Sequence, residues 1–305
     1  DEEGEDEERM ARAKSKGHGG VDSAIGGFRK EASKPGPTGS RWPGRRHARE
    51  DETMSILRST LLTDHGFTHA FATRNGGVSA APFDTLNLGF RLGDDEDAVR
   101  ENRARFRDAL AVGADRFYEQ CQVHGTIVRE IGLTDDAGAV ARQEGDAMLT
   151  RVEGSAVAAR TADCVPVLVA HPRSGQVGAA HAGWRGAVAG VVPRLIDALA
   201  QDPSELLVAI GPHIRVGAFE IGEDVAAEME AAAPDCPVVK RDGPRLFGDL
   251  TALVRYQLRR MGVHDASIDE VGGCTHADAA QFFSHRRDHG KTGRHLSAIV
   301  ARAPH

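Results

Sequence analysis

Short apolar runs alternate with helical repeats over most of the chain from Met54 onward. Ala156–Ala159, Val165–Ala170, Val177–Ala180, Leu206–Ile210 and Ala298–Ala301 are too short for helices and predict strands. Asp97–Val112, with apolar Val99, Phe106 and Leu110 and acidic residues at its start, predicts a helix. Ala187–Ala200, Asp224–Ala232 and Asp249–Met261 predict three more. The class is therefore α+β or mixed α/β. Periodicity does not give the strand order, and short Gly-punctuated strands suit antiparallel as well as parallel pairing.

Residues 1–53 break this pattern. DEEGEDEE is followed by Lys, Arg, Gly, Ser and Pro with hardly an aliphatic side chain, which leaves too little apolar area to offset chain entropy. We expect 1–53 to be a disordered or non-native N-terminal extension and 54–305 to be one catalytic domain, the natural chain starting near Met54.

Composition narrows the function classes. Lys and Arg total 38 against 45 Asp and Glu, a net charge of −7 that disfavours a nucleic-acid partner. No run approaches the roughly 20 apolar residues of a bilayer-spanning helix, and no leader pattern opens the chain, so no membrane partner and a cytoplasmic location are expected. Cys121, Cys164, Cys236 and Cys274 form no CxxC pair, so neither a disulfide framework nor a zinc ribbon is implied.

Three segments set a soft or borderline metal ligand in an apolar or Gly-rich frame: Gln122-Val-His-Gly125, Thr161-Ala-Asp-Cys-Val-Pro166 and Ala179-Ala-His-Ala-Gly-Trp-Arg-Gly186. His124, Cys164 and His181 would supply two imidazoles and a thiolate, and three protein ligands with an open position is how a catalytic zinc is held. The same residues read equally as a core cysteine and hydrogen-bonded histidines. Val177 to Val192 passes from a small-residue strand through a Gly-rich turn into a helix pattern, where Arg185 could hold an anion or merely be solvated while Gly183 and Gly186 allow close packing. Arg74, at the base of the Asn75-Gly-Gly turn, could line a pocket or pair with a surface carboxylate. Asp146 and Asp163 could orient a ligand histidine. Phe282 to Arg294 is basic and turn-rich and reads as a loop; its Gly290-Lys-Thr292 is no phosphate-binding loop, because the first glycine of that motif would fall on His285.

Taken together, the segments resemble the YfiH/laccase-domain family, once called multicopper polyphenol oxidases and now regarded as purine nucleoside enzymes. The resemblance runs from about Thr68 to Arg302. It is carried by Thr73-Arg-Asn-Gly-Gly-Val-Ser, Leu86-Asn-Leu, Gln122-Val-His-Gly, Gly145-Asp-Ala-Met, Ala162-Asp-Cys-Val-Pro and Ala180-His-Ala-Gly-Trp-Arg-Gly, then by Ile210-Gly-Pro, Phe219-Glu-Ile-Gly, Cys274-Thr and Phe282-Phe-Ser-His-Arg-Arg-Asp. It implies a single-domain α/β/β/α layered sandwich related to toxin deamidases, with His124, Cys164 and His181 as ligands of Zn2+. Cu2+ on the same donors is reasonable in vitro.

The implied reactions are phosphorolysis of adenosine, inosine, guanosine or methylthioadenosine and hydrolytic deamination of adenosine at C6. Arg74 and Arg185 are the candidates to hold phosphate, and Asn87 to touch ribose or base. The expected partners are small molecules, a nucleoside and phosphate, and the protein is expected to be a monomer. The chain departs from the family in carrying Gly217-Ala218 where a cysteine pair is common, Arg215 where glycine is common, and His285 in place of an aromatic residue before the paired arginines.

Three other readings compete. A cysteine hydrolase or amidase acting on a peptidoglycan precursor would use Cys164 as nucleophile. A copper polyphenol oxidase would need many histidines in His-x-His pairs, and the chain has none. A non-enzymatic, metal-stabilised protein would close the triad with His285 or Cys274.

Overall fold

The computed structural model describes residues 54–199 and 202–304, so the expectation for residues 1–53 lies outside the described residues. In chain order the first elements are β1 (Ile56–Leu57), α1 (Thr60–Asp64), β2 (His69–Ala72), α2 (Glu96–Asp108), β3 (Phe117–Tyr118), β4 (Val128–Ile131) and α3 (Ala137–Val140). Next come β5 (Ala147–Thr150), β6 (Ala156–Thr161), β7 (Val165–Ala170), β8 (Val177–Ala182), α4 (Trp184–Val188), α5 (Val191–Leu199) and β9 (Leu207–Ile210). The last are β10 (Glu220–Ile221), α6 (Glu223–Ala232), β11 (Val239–Asp242), β12 (Arg245–Gly248), α7 (Leu250–Arg260), β13 (Ile268–Glu270) and β14 (His295–Val300).

Six strands in the order β13-β9-β7-β8-β5-β4 form one sheet, five in the order β1-β2-β14-β6-β3 a second, and β10-β12-β11 a small third. The pairs β3/β6, β4/β5 and β9/β13 are parallel and the others antiparallel, so the fold is mixed α/β with several sheets.

Strand β7 shows why its sequence is apolar without a break. Val165, Val167 and Val169 pack with Val192, Leu195 and Ile196 of α5 and with Leu253 and Val254 of α7. Leu168 and Ala170 face the other way and pack with Phe71, Val157 and Ile299 of the five-stranded sheet. A strand covered on both faces has no solvent side to mark with polar residues. The outer face of the five-stranded sheet, through Ala70, Ala158 and Ala298, is covered by Leu86, Leu88 and Phe106 of α2. In β8, Ala180 and Ala182 belong with the helices, so alternation turns His181 with Val177 and Ala179 toward the second sheet.

The helix expected over Ala187–Ala200 is two helices, α4 and α5, because Gly190 at φ +88° breaks the repeat. The helix expected to reach Val112 stops at Asp108, followed by Ala111 at φ +54°. Asp249 is the N-cap of α7, its carboxylate accepting the Ala252 N–H at 2.9 Å. β6, β8 and β14 extend beyond their apolar runs into Thr161, Ala182 and His295. Phe282 to Arg294 holds turns and no regular element, as its glycines require. No described helix is long and apolar enough to cross a membrane.

Candidate metal centre

The register of β7 on β8, with Pro166 opposite His181, brings the residue before β7 and the next-to-last residue of β8 to one sheet end. Those residues are Cys164 and His181. His124 arrives on the turn between β3 and β4, and two side chains fix that turn. Gln122 accepts the Arg160 N–H at 2.8 Å and donates to the Arg160 carbonyl at 2.7 Å, docking the turn on β6. Asp146, buried just before β5, accepts the backbone N–H groups of Val123 at 3.3 Å, His124 at 3.0 Å and Gly125 at 2.7 Å. His124 itself lies at φ +56°, a left-handed conformation that costs a non-glycine residue on the order of 1–3 kcal/mol. The amide cradle around Asp146 offsets that cost.

The same carboxylate accepts from His181 Nδ1 at 2.9 Å, which leaves Nε2 of His181 as the ring's lone-pair nitrogen. Burial holds His181 below the usual histidine range, against the opposing pull of Asp146, so it is neutral and able to ligate. Burial alone would push Asp146 up, but the His181 hydrogen bond and the Gly125 and Val123 amides hold it below the carboxylate range.

Cys164 Sγ lies 3.7 Å from His124 Nε2, and the His124 and His181 rings stand 4.8 Å apart at 72°. The ligand atoms of His124, Cys164 and His181 all lie within 4.8 Å of one another. Two imidazole nitrogens and one thiol sulfur at that spacing fit zinc, and His124 and Cys164 are only half-buried, so one side stays open. Among the described residues no fourth His, Cys, Asp or Glu joins the group. The closing ligands weighed from sequence are elsewhere engaged: Cys274 Sγ accepts the Arg215 N–H at 3.4 Å, and His285 Nδ1 faces Arg294 Nη2 at 3.3 Å.

The glycines of the Ala182-Gly-Trp-Arg-Gly186 turn make room for the His124 turn. A Cβ on Gly183 would fall 2.4 Å from His124 Cδ2 and 3.2 Å from Cys164 Sγ, and one on Gly186 would fall 2.9 Å from the Gly125 carbonyl oxygen. Asp163, beside Cys164, anchors the C-terminal loop: its carboxylate accepts from Thr275 Oγ1 at 2.5 Å, Ser284 Oγ at 2.9 Å and the Arg286 N–H at 2.7 Å.

The other candidates are less tightly grouped. Arg185 is exposed, its guanidinium 4.5 Å from the Trp184 ring centroid. Arg74 donates to the carbonyls of Asp84 at 2.8 Å and Ala279 at 3.0 Å, pairs with the Asp84 carboxylate and lies over Phe283. Asn87 is corrected by the structure. It is buried, donates to the Gly89 carbonyl and Asp94, and accepts from the Gly89 and Arg294 N–H groups, so it has no hydrogen-bonding capacity left for a ribose. Gln122 and the triple amide cradle of Asp146 escaped sequence reading; the only signal was their place beside His124 and in the Gly145-Asp-Ala-Met segment.

Residues 68–302 match the model of the family described as multi-copper polyphenol oxidoreductase laccase. The chain is 43% identical over 249 residues to a purine nucleoside phosphorylase of Deinococcus radiodurans, an alignment covering 81% of this chain and 92% of that one. It is 38% identical over 237 residues to the purine nucleoside phosphorylase YfiH of Escherichia coli, covering 77% and 93% of the two chains. Among solved structures, YlmD from Geobacillus stearothermophilus superposes with a TM-score of 0.75 at 33% identity, covering 82% of this chain and 99% of that one.

Proposed function

This chain belongs to the laccase-like YfiH family, and from that membership we propose that it is a zinc-dependent purine nucleoside phosphorylase that also deaminates adenosine to inosine. It would act in the cytoplasm as a monomer on diffusible adenosine, inosine, guanosine or methylthioadenosine. The observation that carries the reading is the convergence of the His124, Cys164 and His181 donor atoms within 4.8 Å on a half-open face. Zinc held there would supply Lewis-acid charge and lower the pKa of a water at the site.

The protein's own groups do the rest. Asp146 fixes the tautomer and direction of His181, and its amide cradle fixes His124. In phosphorolysis a phosphate oxygen bonds to C1′ of the sugar while the C1′–N bond breaks, its electron pair leaving with the base, which takes up a proton. Arg185, exposed beside Trp184, and Arg74 are the two arginines proposed to hold that phosphate. Arg74 would do so only by exchanging its Asp84 ion pair. The four-layer α/β/β/α order implied by the resemblance is supported by the three separate core clusters.

One observation favours a second reading: the Cys164 to His124 approach of 3.7 Å would also suit a cysteine nucleophile and its base. Copper oxidase chemistry has less support, because among the described residues the triad is the one metal-ligand group of this kind. Elemental analysis of the purified protein, with adenosine turnover followed by chromatography with and without phosphate, tests the assignment. About one zinc per chain, with inosine or phosphate-dependent adenine formed and both lost in a folded Cys164→Ala variant, is the expected result. Metal-free protein inert toward adenosine, with Cys164 alkylated rapidly by iodoacetamide, would replace it with the hydrolase reading.

A further inference from the structure

Away from the ligand triad, Arg215, Glu220, Arg245, Phe247, Cys274 and Arg286 line an open cavity of about 530 Å³. Three arginines line it against one carboxylate, and Arg215 pairs with Glu270, which is not among the lining residues. Glu220 is committed to Arg245 at 2.7 Å, and Arg245 also lies 4.8 Å over the Phe247 ring. Arg286 donates to the Glu220 carbonyl at 2.8 Å and lies 5.3 Å over the Phe219 ring; among the described residues it has no carboxylate in an ion pair. Arg215, half-buried, engages Thr251 at 2.8 Å and Glu270 at 3.1 Å through Nη1.

The cavity wall is held in place. Asp163 accepts the Ile214 N–H at 3.0 Å through its carbonyl, and through its carboxylate the Arg286 N–H and the Thr275 hydroxyl. Three lining segments are thus tied to the residue that precedes Cys164. Two sequence departures shape the space: Arg215 adds a guanidinium, and Gly217, where a Cβ would meet nothing within 4 Å, leaves the rim open.

A phosphoryl group is close to a dianion at neutral pH and offers oxygens that guanidinium forks match in pairs. With Arg245 paired to Glu220 and Arg215 to Glu270, Arg286 is the lining arginine that brings a net positive charge, and the volume exceeds what inorganic phosphate alone would fill. We infer that this cavity is a phosphoryl-binding site, with Arg286 and Arg215 as its anchors and Arg245 at its rim, which takes free phosphate or the phosphate of a small monoester. None of the three ligand residues lines it, and its assignment does not depend on the nucleoside reading.

Calorimetric titration of the full chain with inorganic phosphate, with adenosine 5′-monophosphate and with adenosine tests this. We expect saturable binding of a phosphate-bearing probe, weakened about tenfold or more in both Arg286→Gln and Arg245→Gln. Adenosine titration should be unaltered in both variants. Tighter binding of the monophosphate than of phosphate would identify an ester as the ligand, and equal binding would identify the free anion. Arg215 also holds β13 through Glu270, so the two other arginines carry the test. Cys164→Ala should retain the binding, which separates this site from the metal centre. No saturable binding of either probe, wild-type affinity in both arginine variants, or loss in Cys164→Ala would overturn the inference.

Discussion

Asp146→Asn is the most diagnostic single change at the candidate metal centre. The carboxylate accepts four hydrogen bonds, three from the amides of Val123, His124 and Gly125 and one from His181 Nδ1. Asparagine keeps the shape but offers one oxygen, and its NH2 must face two N–H donors whichever way it is turned. In one orientation Val123 and Gly125 lose their acceptor; in the other His124 and His181 do. Each lost charge-assisted bond costs about 1.5–3 kcal/mol, so the pair costs about 3–6 kcal/mol. Opening of the half-buried turn to water recovers part of this, which places the stability loss near the lower figure. A loss of about 3 kcal/mol in a domain of this size lowers Tm by about 6–12 °C. Zinc affinity falls in parallel, by about 10–100-fold, because either His181 loses the oxygen that orients it or the His124 turn loses two of its three amide anchors. Thermal unfolding of metal-free protein and zinc competition against a chromophoric chelator measure the two effects separately. A variant melting within about 2 °C of wild type, with unaltered zinc affinity, would refute the cradle as the element that organises the site.

Gly183→Ala places a methyl group 2.4 Å from His124 Cδ2, so zinc stoichiometry should collapse while the circular dichroism spectrum stays native; a zinc-replete variant would show that the His124 turn is not held there. His213 and His295 are buried and neutral, with pKa values driven down to about 3 chiefly by burial. Unfolded, each takes a proton near pH 6.5, so their contribution to stability is full above that pH and falls as pH drops toward 3, by up to about 1.4 kcal/mol per pH unit per histidine. Urea midpoints at about pH 7, 5.5 and 4 should decrease in that order, and a flat series would contradict the assignment. Glu119→Gln removes the counter-charge of Arg103, whose pKa burial and then Arg160 have already lowered to about 9. A loss of about 3–5 kcal/mol in urea unfolding is expected for a charge left buried, and a loss below about 1 kcal/mol would mean that Arg103 finds water.

Strand β7, buried throughout, was legible in the sequence, whereas β5, equally buried, was not. Val165–Ala170 and the start of β8 read as strands because nothing polar interrupts them, and α7 read correctly to within one residue at each end because Asp249 caps it. Strand β2 was missed because His69 sits in it. That ring is buried, accepting the Ser59 N–H at 2.7 Å and bonding the Phe67 carbonyl at 2.9 Å, so a polar residue lies inside the core at no cost in unmet hydrogen bonds. β4 and β11 carry Arg, Glu, Lys and Asp on half-buried or exposed edges, where side-chain polarity hides the strand. β1 and β3, two residues each, owe their form to their neighbours rather than to any local pattern.

The site was legible as residue types but not as geometry, because its proximities come from register. Cys164 and His181 meet through the β7–β8 pairing, and no spacing along the chain encodes that. The glycines after His181 suggested an anion-binding turn; their close approach is to the His124 turn instead. Asp163 shows the same limit most clearly. Its partners Thr275, Ser284 and Arg286 lie 112, 121 and 123 residues away, and topology alone brings them in. β14 pairs antiparallel with β6 so that His295 faces Thr161, two residues before Asp163. The basic loop that feeds β14 must therefore end beside the turn between β6 and β7, and the one buried carboxylate there receives its N–H and hydroxyl donors. Because Cys164 follows directly, the pairing of β14 with β6 helps set both where the C-terminal arginines lie and where the thiol of the candidate metal centre sits.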